Sequence, residues 1–154
     1  MVRQLERAES IIYPGELIST IGLLVDPLGD ALQIADVTSW DVKVFEVGTF
    51  PGDERRSKRP IYSELAVNPG SANTNAGLPG TPLIISDTVR TDGFWDGPPP
   101  GYNFLHFIRP SDLSGFAPPA SLTGGRMYLV EYAFTTVWDL VVAEHLLEAR
   151  ARRG

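Results

Sequence analysis

Two stretches, VTSWDVKVFEV at 37–47 and RMYLVEYAFTT at 126–136, alternate apolar and polar side chains with a period of two. That period sends successive side chains to opposite faces of an extended chain. It suits a half-buried strand and not a helix, whose apolar stripe repeats every 3.6 residues. In the first stretch Trp40, Val42 and Val44 share one face, with Glu46 next in phase; Asp41, Lys43 and Phe45 share the other. YNFLHFI at 102–108 and IYSELAV at 61–67 have the same β character, and LIIS at 83–86 reads as a buried strand. ELISTIGLLV at 16–25 reads as the first strand. The turn at 26–30 follows, with Pro27 setting φ and Gly29 free to take a positive φ. The 15 glycines and 13 prolines are spread between these segments. Short strands punctuated in this way predict an all-β sandwich or barrel.

The segment WDLVVAEHLLEARARRG that closes the sequence has two readings. Propensity favours a helix after Ala143. A tight connection at Val137-Trp138-Asp139 would instead fold it back on 126–136 as a strand, and the strand is preferred. The predicted organisation is an N-terminal arm at 1–15, one domain at 16–149 and a basic tail at 150–154. Long Pro/Gly-rich loops are expected at 68–82, 97–101 and 109–125.

The 154 residues fit one domain with a sizeable core. A net charge of -6 argues against nucleic acid as partner, because phosphate binding needs a basic face. There is no cysteine, which excludes a disulfide scaffold, a thiolate metal site and a cysteine nucleophile. No apolar run approaches the ~20 residues of a membrane helix. MVRQLERAES lacks the apolar region of a signal peptide, so the chain is expected to stay in the cytoplasm of the cell that makes it.

Candidate chemistry is sparse. His106, Glu131 and His145 would form a ligand row if 102–108 paired with 126–136, but structural histidines satisfied in a half-wet face are the preferred reading. Asp92 and Asp96 flank Phe94-Trp95, an arrangement found in sugar clefts. The plainer alternative is a loop whose aspartates cap turns while Trp95 tucks against the sandwich. The serines include no G-x-S-x-G elbow. Arg55, Arg56, Lys58 and Arg59 follow Asp53 and Glu54 and read as a solvated loop tip, or else as a docking patch for an acidic protein. Tyr128, just after LTGG, is placed for the corner tyrosine of an Ig-type sandwich or for an ordinary core position. No catalytic residue, cofactor or metal is expected.

The order IGLLVDPLGDALQIADVTSWDVKVFEV, LIISDTVRTDGFWDGPPPGYNFLHFI and GGRMYLVEYAFT resembles small Ig-like β-sandwich virion proteins of tailed bacteriophages, over roughly residues 16–149. The helix-prone VVAEHLLEAR departs from that pattern. The resemblance implies an Ig-like antiparallel β-sandwich with an extended N-terminal arm. It implies a structural protein of the virion, first a capsid decoration (cement) protein that bridges shell subunits, alternatively a neck, collar or tail component. The partner would be the major capsid protein or another virion protein, with neither nucleic acid nor membrane. The chain would form a homo-oligomer, a trimer by preference. Ile11, Ile12 and Tyr13 on the arm, and Pro98, Pro99 and Pro100 in the loop, are the candidate contact residues. An arm of this kind would be separable from the fold, so that removal of residues 1–13 leaves the melting temperature nearly unchanged. The rival from another class is a carbohydrate-binding module with Asp92, Phe94, Trp95, Asp96 and Tyr102 as its platform; a hydrolase using Asp92 and Asp96 comes third.

Overall fold

The computed structural model describes residues 2–5, 7–13, 16–48, 59–75, 82–97, 99–109 and 126–149. Nine strands run through them in chain order: β1 (Val2–Gln4), β2 (Ala8–Ile12), β3 (Ile18–Gly22), β4 (Val37–Gly48), β5 (Arg59–Val67), β6 (Ile85–Arg90), β7 (Tyr102–Ile108), β8 (Arg126–Thr136) and β9 (Leu140–Ala149). The only helical turns among the described residues are short 3-10 turns at Ile34–Asp36 and Gly93–Trp95. One sheet has the order β1-β9-β8-β4-β5, with β2 also on β9; the other has the order β3-β7-β6. The chain is all-β and its two sheets pack into a sandwich.

The alternation in the sequence decides which faces meet. Trp40, Val42 and Val44 are buried, Asp41 and Phe45 are half-buried and Lys43 is exposed. On β8, Tyr128, Val130, Tyr132 and Phe134 point the same way as the inner side chains of β4. Ile18, Phe104 and Ile108 meet them from the second sheet. Trp40 lies at the centre, stacked on Phe134 at 6.3 Å and edge-on to Phe104 at 6.5 Å. Aromatic pairs at these spacings add to the stabilisation from burial alone. A second apolar cluster occupies the outer face of the first sheet. Phe45, Leu129 and Leu146 lie side by side across β4, β8 and β9, joined by Val47 and Met127.

Four expectations are corrected. The described part of the N-terminal segment is no separable arm. β1 and β2 lie parallel along β9, pairing Val2 with Leu140 and Ile12 with Ala149, so the sandwich is not purely antiparallel. The pattern hides this strand because an edge strand facing water on most of its surface needs few apolar residues, and only Ile12 enters the core. The strand expected at 16–25 is confined to Ile18–Gly22; the chain then turns, and Val25 bridges back to Ala31. The strand expected at 83–86 begins at Ile85 and runs on to Arg90, while Leu83 bridges Thr74. The preferred strand at 140–149 is present, in continuous register with β8 from Thr135–Leu140 to Arg126–Ala149. Hairpin pairing outweighs the local helix propensity there.

Buried amides hold the connections. Asn103 is fully buried, accepts the Leu24 N–H at 2.6 Å and donates to the Leu24 carbonyl at 2.8 Å. Asn75 donates to the Leu105 carbonyl at 2.9 Å and accepts the Phe107 N–H at 3.0 Å. Each side chain acts as a peptide group where a neighbouring strand is missing.

Ile12→Ala is expected to cost on the order of 3 kcal/mol, since it empties a core position. Deleting residues 1–13 is expected to lower the urea midpoint further, because it uncovers the β9 edge. Asn103→Leu leaves the buried Leu24 N–H unpaired, while the Leu24 carbonyl keeps the Leu32 N–H at 2.9 Å, and is expected to cost about 2 kcal/mol by the same measurement.

Candidate functional site

The alternation that builds the core also sorts the titratable side chains. On β8 it puts Tyr132 inside and Glu131 outside, where Glu131 lies opposite Lys43 on β4 and Glu144 on β9. β7 pairs with β3 and β6, not with β8. The His106–Glu131–His145 row is therefore not formed. Both histidines instead join a chain of polar groups between the sheets. Ser10 Oγ lies 2.8 Å from His145 Nε2, and His145 Nδ1 lies 3.1 Å from Thr20 Oγ1. Thr20 also lies beside the Tyr132 hydroxyl, which is 2.9 Å from His106 Nδ1. The chain runs through β2, β9, β3, β8 and β7. Burial disfavours every charged form in it: it pulls His106 down to about 4, lowers His145 and raises Tyr132. Both histidines are satisfied structural groups, as preferred, but they are buried and do not sit in a half-wet face.

Beside this chain a cleft of about 340 Å³ opens between the sheets, lined among others by Trp40, Tyr62, Glu64, Asn75, His106 and Arg109. Tyr62 donates its hydroxyl to Glu64 at 3.0 Å, and Asn75 is committed to backbone. Trp40 Nε1 is buried without an acceptor among the described residues. No group of three ligating side chains that could hold a metal occurs among the described residues.

The 91–97 loop differs from a sugar platform. Trp95 is buried, so its ring offers no open face, and the Arg90 guanidinium sits 5.6 Å from its centroid. Arg90 also grips Asp92 through Nε at 3.0 Å and Nη2 at 2.7 Å, which holds the Asp92 carboxyl below its usual range. Asp92 thus pairs with Arg90 and caps no turn with its side chain. Phe94 is exposed and meets Phe107 edge-on at 5.8 Å. Asp96 is exposed. Trp95 tucks against the sandwich, as the plainer reading has it.

Of the expected contact residues, Ile11 and Tyr13 are exposed, while Ile12 is a core residue and leaves that set. Pro99 and Pro100 are exposed in the turn before Gly101. Gly101 takes φ of +99°, and a Cβ there would lie 2.5 Å from the Arg90 carbonyl, so this turn requires glycine. Pro98, residues 55–58 of the basic run and the tail at 150–154 lie outside the described residues. Tyr128 is fully buried on β8.

Residues that the sequence marks only as a tight connection lie at the β8–β9 hairpin. Val137 and Trp138 are exposed at its apex. The signal was present: a tight hairpin usually takes Asn, Asp or Gly at its tip, and a Val-Trp pair there is out of place. Below them Asp139 is gripped by Arg3 of β1 and by the Thr136 hydroxyl at 2.8 Å, and the arginine holds its carboxyl low.

Comparison with family models, curated proteins and solved structures finds no match.

The buried histidine sets a pH dependence. Between 6.5 and about 4 the unfolded chain binds a proton that folded His106 refuses. Stability is therefore unaffected above 6.5 and falls as pH drops through that window, by up to roughly 3 kcal/mol. Loss of the Asp139 charge acts in the same direction, but only below the ordinary carboxylate value of 3.8. Urea midpoints measured from about pH 7 to about pH 4.5 should fall, with a shallower slope in His106→Gln. An equal slope in that variant would remove His106 as the cause.

Proposed function

We propose that this protein is a non-enzymatic structural component of a tailed-phage virion, most simply a capsid decoration protein that bridges shell subunits. The observation that carries the reading is the exposed pair Ile11 and Tyr13 on either side of buried Ile12. The buried isoleucine anchors an edge strand, so its neighbours present apolar surface from a fixed backbone. Surface of this kind gains most when a partner covers it. Pro99 and Pro100 offer a second rigid contact. The histidines and Tyr132 are engaged in the core and Asp92 is held by Arg90, which leaves them to structural work.

The Ig-like character of the sandwich belongs to the same proposal. It is supported by the strand order, in which a parallel N-terminal strand joins β9, β8, β4 and β5 in one sheet against β3, β7 and β6 in the other. The sequence resemblance supplies the virion setting, and a trimer is the assembly that suits a shell three-fold position.

An antiserum against the purified chain should label tailed particles from the source cells in electron micrographs. Labelling spread over the head supports a decoration protein, labelling at the neck or tail supports the alternative placement, and unlabelled particles overturn the virion reading. The double variant Ile11→Asp with Tyr13→Asp should lose its place on the particle. It should keep its folding stability within about 0.5 kcal/mol, as exposed substitutions do.

A further inference from the structure

One end of the sandwich gathers the turn after β3, the β8–β9 hairpin and the start of β1. The registers Gly22–Phe104, Val37–Thr136, Thr135–Leu140 and Val2–Leu140 put these segments together. Four large apolar side chains stand in solvent there: Leu28 at 89% exposure, Val2 at 61%, Val137 at 58% and Trp138 at 51%.

The backbone beneath them is tied down. Asp26 Oδ1 accepts the N–H groups of Leu28 at 2.9 Å and Asp30 at 3.0 Å. The Asp36 carbonyl accepts the Val137 N–H at 2.9 Å, joining the segment before β4 to the hairpin. Thr136 Oγ1 accepts the N–H groups of Trp138 at 3.1 Å and Asp139 at 3.0 Å. Arg3 closes the set on Asp139. Apolar side chains displayed on so constrained a frame lose little freedom on binding, and rigid aromatic anchors of this kind dominate interface energies.

Charge selects the partner. Asp26, Asp30, Asp36 and Asp87 border this end, and none is in an ion pair among the described residues. Among the described residues the arginines at this end, Arg3 and Arg90, are occupied by Asp139 and Asp92. An apolar centre with an acidic rim fits a partner whose apolar pocket is framed by Lys and Arg. A second copy brought end to end would set acidic rim against acidic rim, and nucleic acid would meet the wrong sign.

We propose that this loop end is a docking surface for a second protein, which takes Trp138 into an apolar pocket bordered by basic side chains. The inference rests on the protein-binding part of the reading above and not on its virion setting.

The test is selection of a random-sequence peptide library on the full chain, followed by anisotropy titration of the enriched peptides. Enriched sequences should combine apolar residues with Lys or Arg. Trp138→Ser should weaken their binding about tenfold or more, as loss of a central anchor does. Asp30→Lys should weaken it and reduce its salt dependence. Both substitutions are exposed, and an unchanged melting curve verifies the fold. Absence of enrichment, enriched peptides that bind Trp138→Ser as tightly as the parent, or self-association that Trp138→Ser abolishes would each overturn the proposal. Unlabelled virions alongside Trp138-dependent peptide binding would sink the phage reading and leave this surface standing; the reverse pair of results would do the opposite.

Discussion

Four polar side chains, Thr20, His106, Tyr132 and His145, are buried in the space between the two sheets, where each must find a partner or lose its hydration uncompensated, and exposed Ser10 joins them from the edge strand. Ser10, His145 and Thr20 satisfy one another, and Tyr132 and His106 do the same beside them, in a line that crosses the sandwich. An unpaired polar group at such depth costs a few kcal/mol, so the line penalises any slip of one strand against the next. A shift of one residue along β8 would turn Tyr132 outward and bring Glu131 into the core. The apolar side chains around Trp40 supply most of the stabilisation by burial. The polar line decides which arrangement of those side chains is acceptable.

The same line explains why the N-terminal segment belongs to the fold. Ser10 hydrogen-bonds His145, Arg3 grips Asp139 and Arg7 reaches Glu144 at 2.7 Å. The Arg7–Glu144 pair is solvent-exposed and contributes little by itself. Parallel pairing with β9 and the burial of Ile12 do more, and together they place Ile11 and Tyr13 at a fixed edge. A contact surface arises here from the constraint that holds the strand, since the one buried side chain, Ile12, fixes the backbone that exposes Ile11 and Tyr13 on either side of it.

Rigid connections produce the second surface in the same manner. Asn103, fixed to Leu24, ties the turn after β3 to β7. Asp87 accepts the Ile34 N–H at 2.7 Å and ties the start of β4 to β6. Loops usually carry function because a scaffold positions them, and these are positioned by buried or backbone-directed hydrogen bonds. Leu28 and Trp138 are thereby displayed in solvent on a backbone that hydrogen bonds hold in place.

What the sequence by itself determined is the β class, the inner and outer faces of β4 and β8, the turn at 26–30 with Gly29 at positive φ, and the burial of Trp95. These follow from period-two alternation and turn chemistry, which act between residues close in the chain. The sequence also carried the β9 strand, although local propensity argued for a helix. Tertiary structure alone decided the rest. A parallel edge strand has no periodic signature when only Ile12 of it is buried, so its pairing with β9 was invisible. The partners of His106 and His145 come from strands far apart in sequence, and no spacing rule connects Ser10 to His145 or His106 to Tyr132. The exposure of Val137 and Trp138 depends on Thr136 and Asp139 fixing the hairpin beneath them and on Asp36 joining it from another loop. Such contacts form only after the sheets have chosen their order, because closing a long loop between distant residues needs the whole fold to offset its entropy.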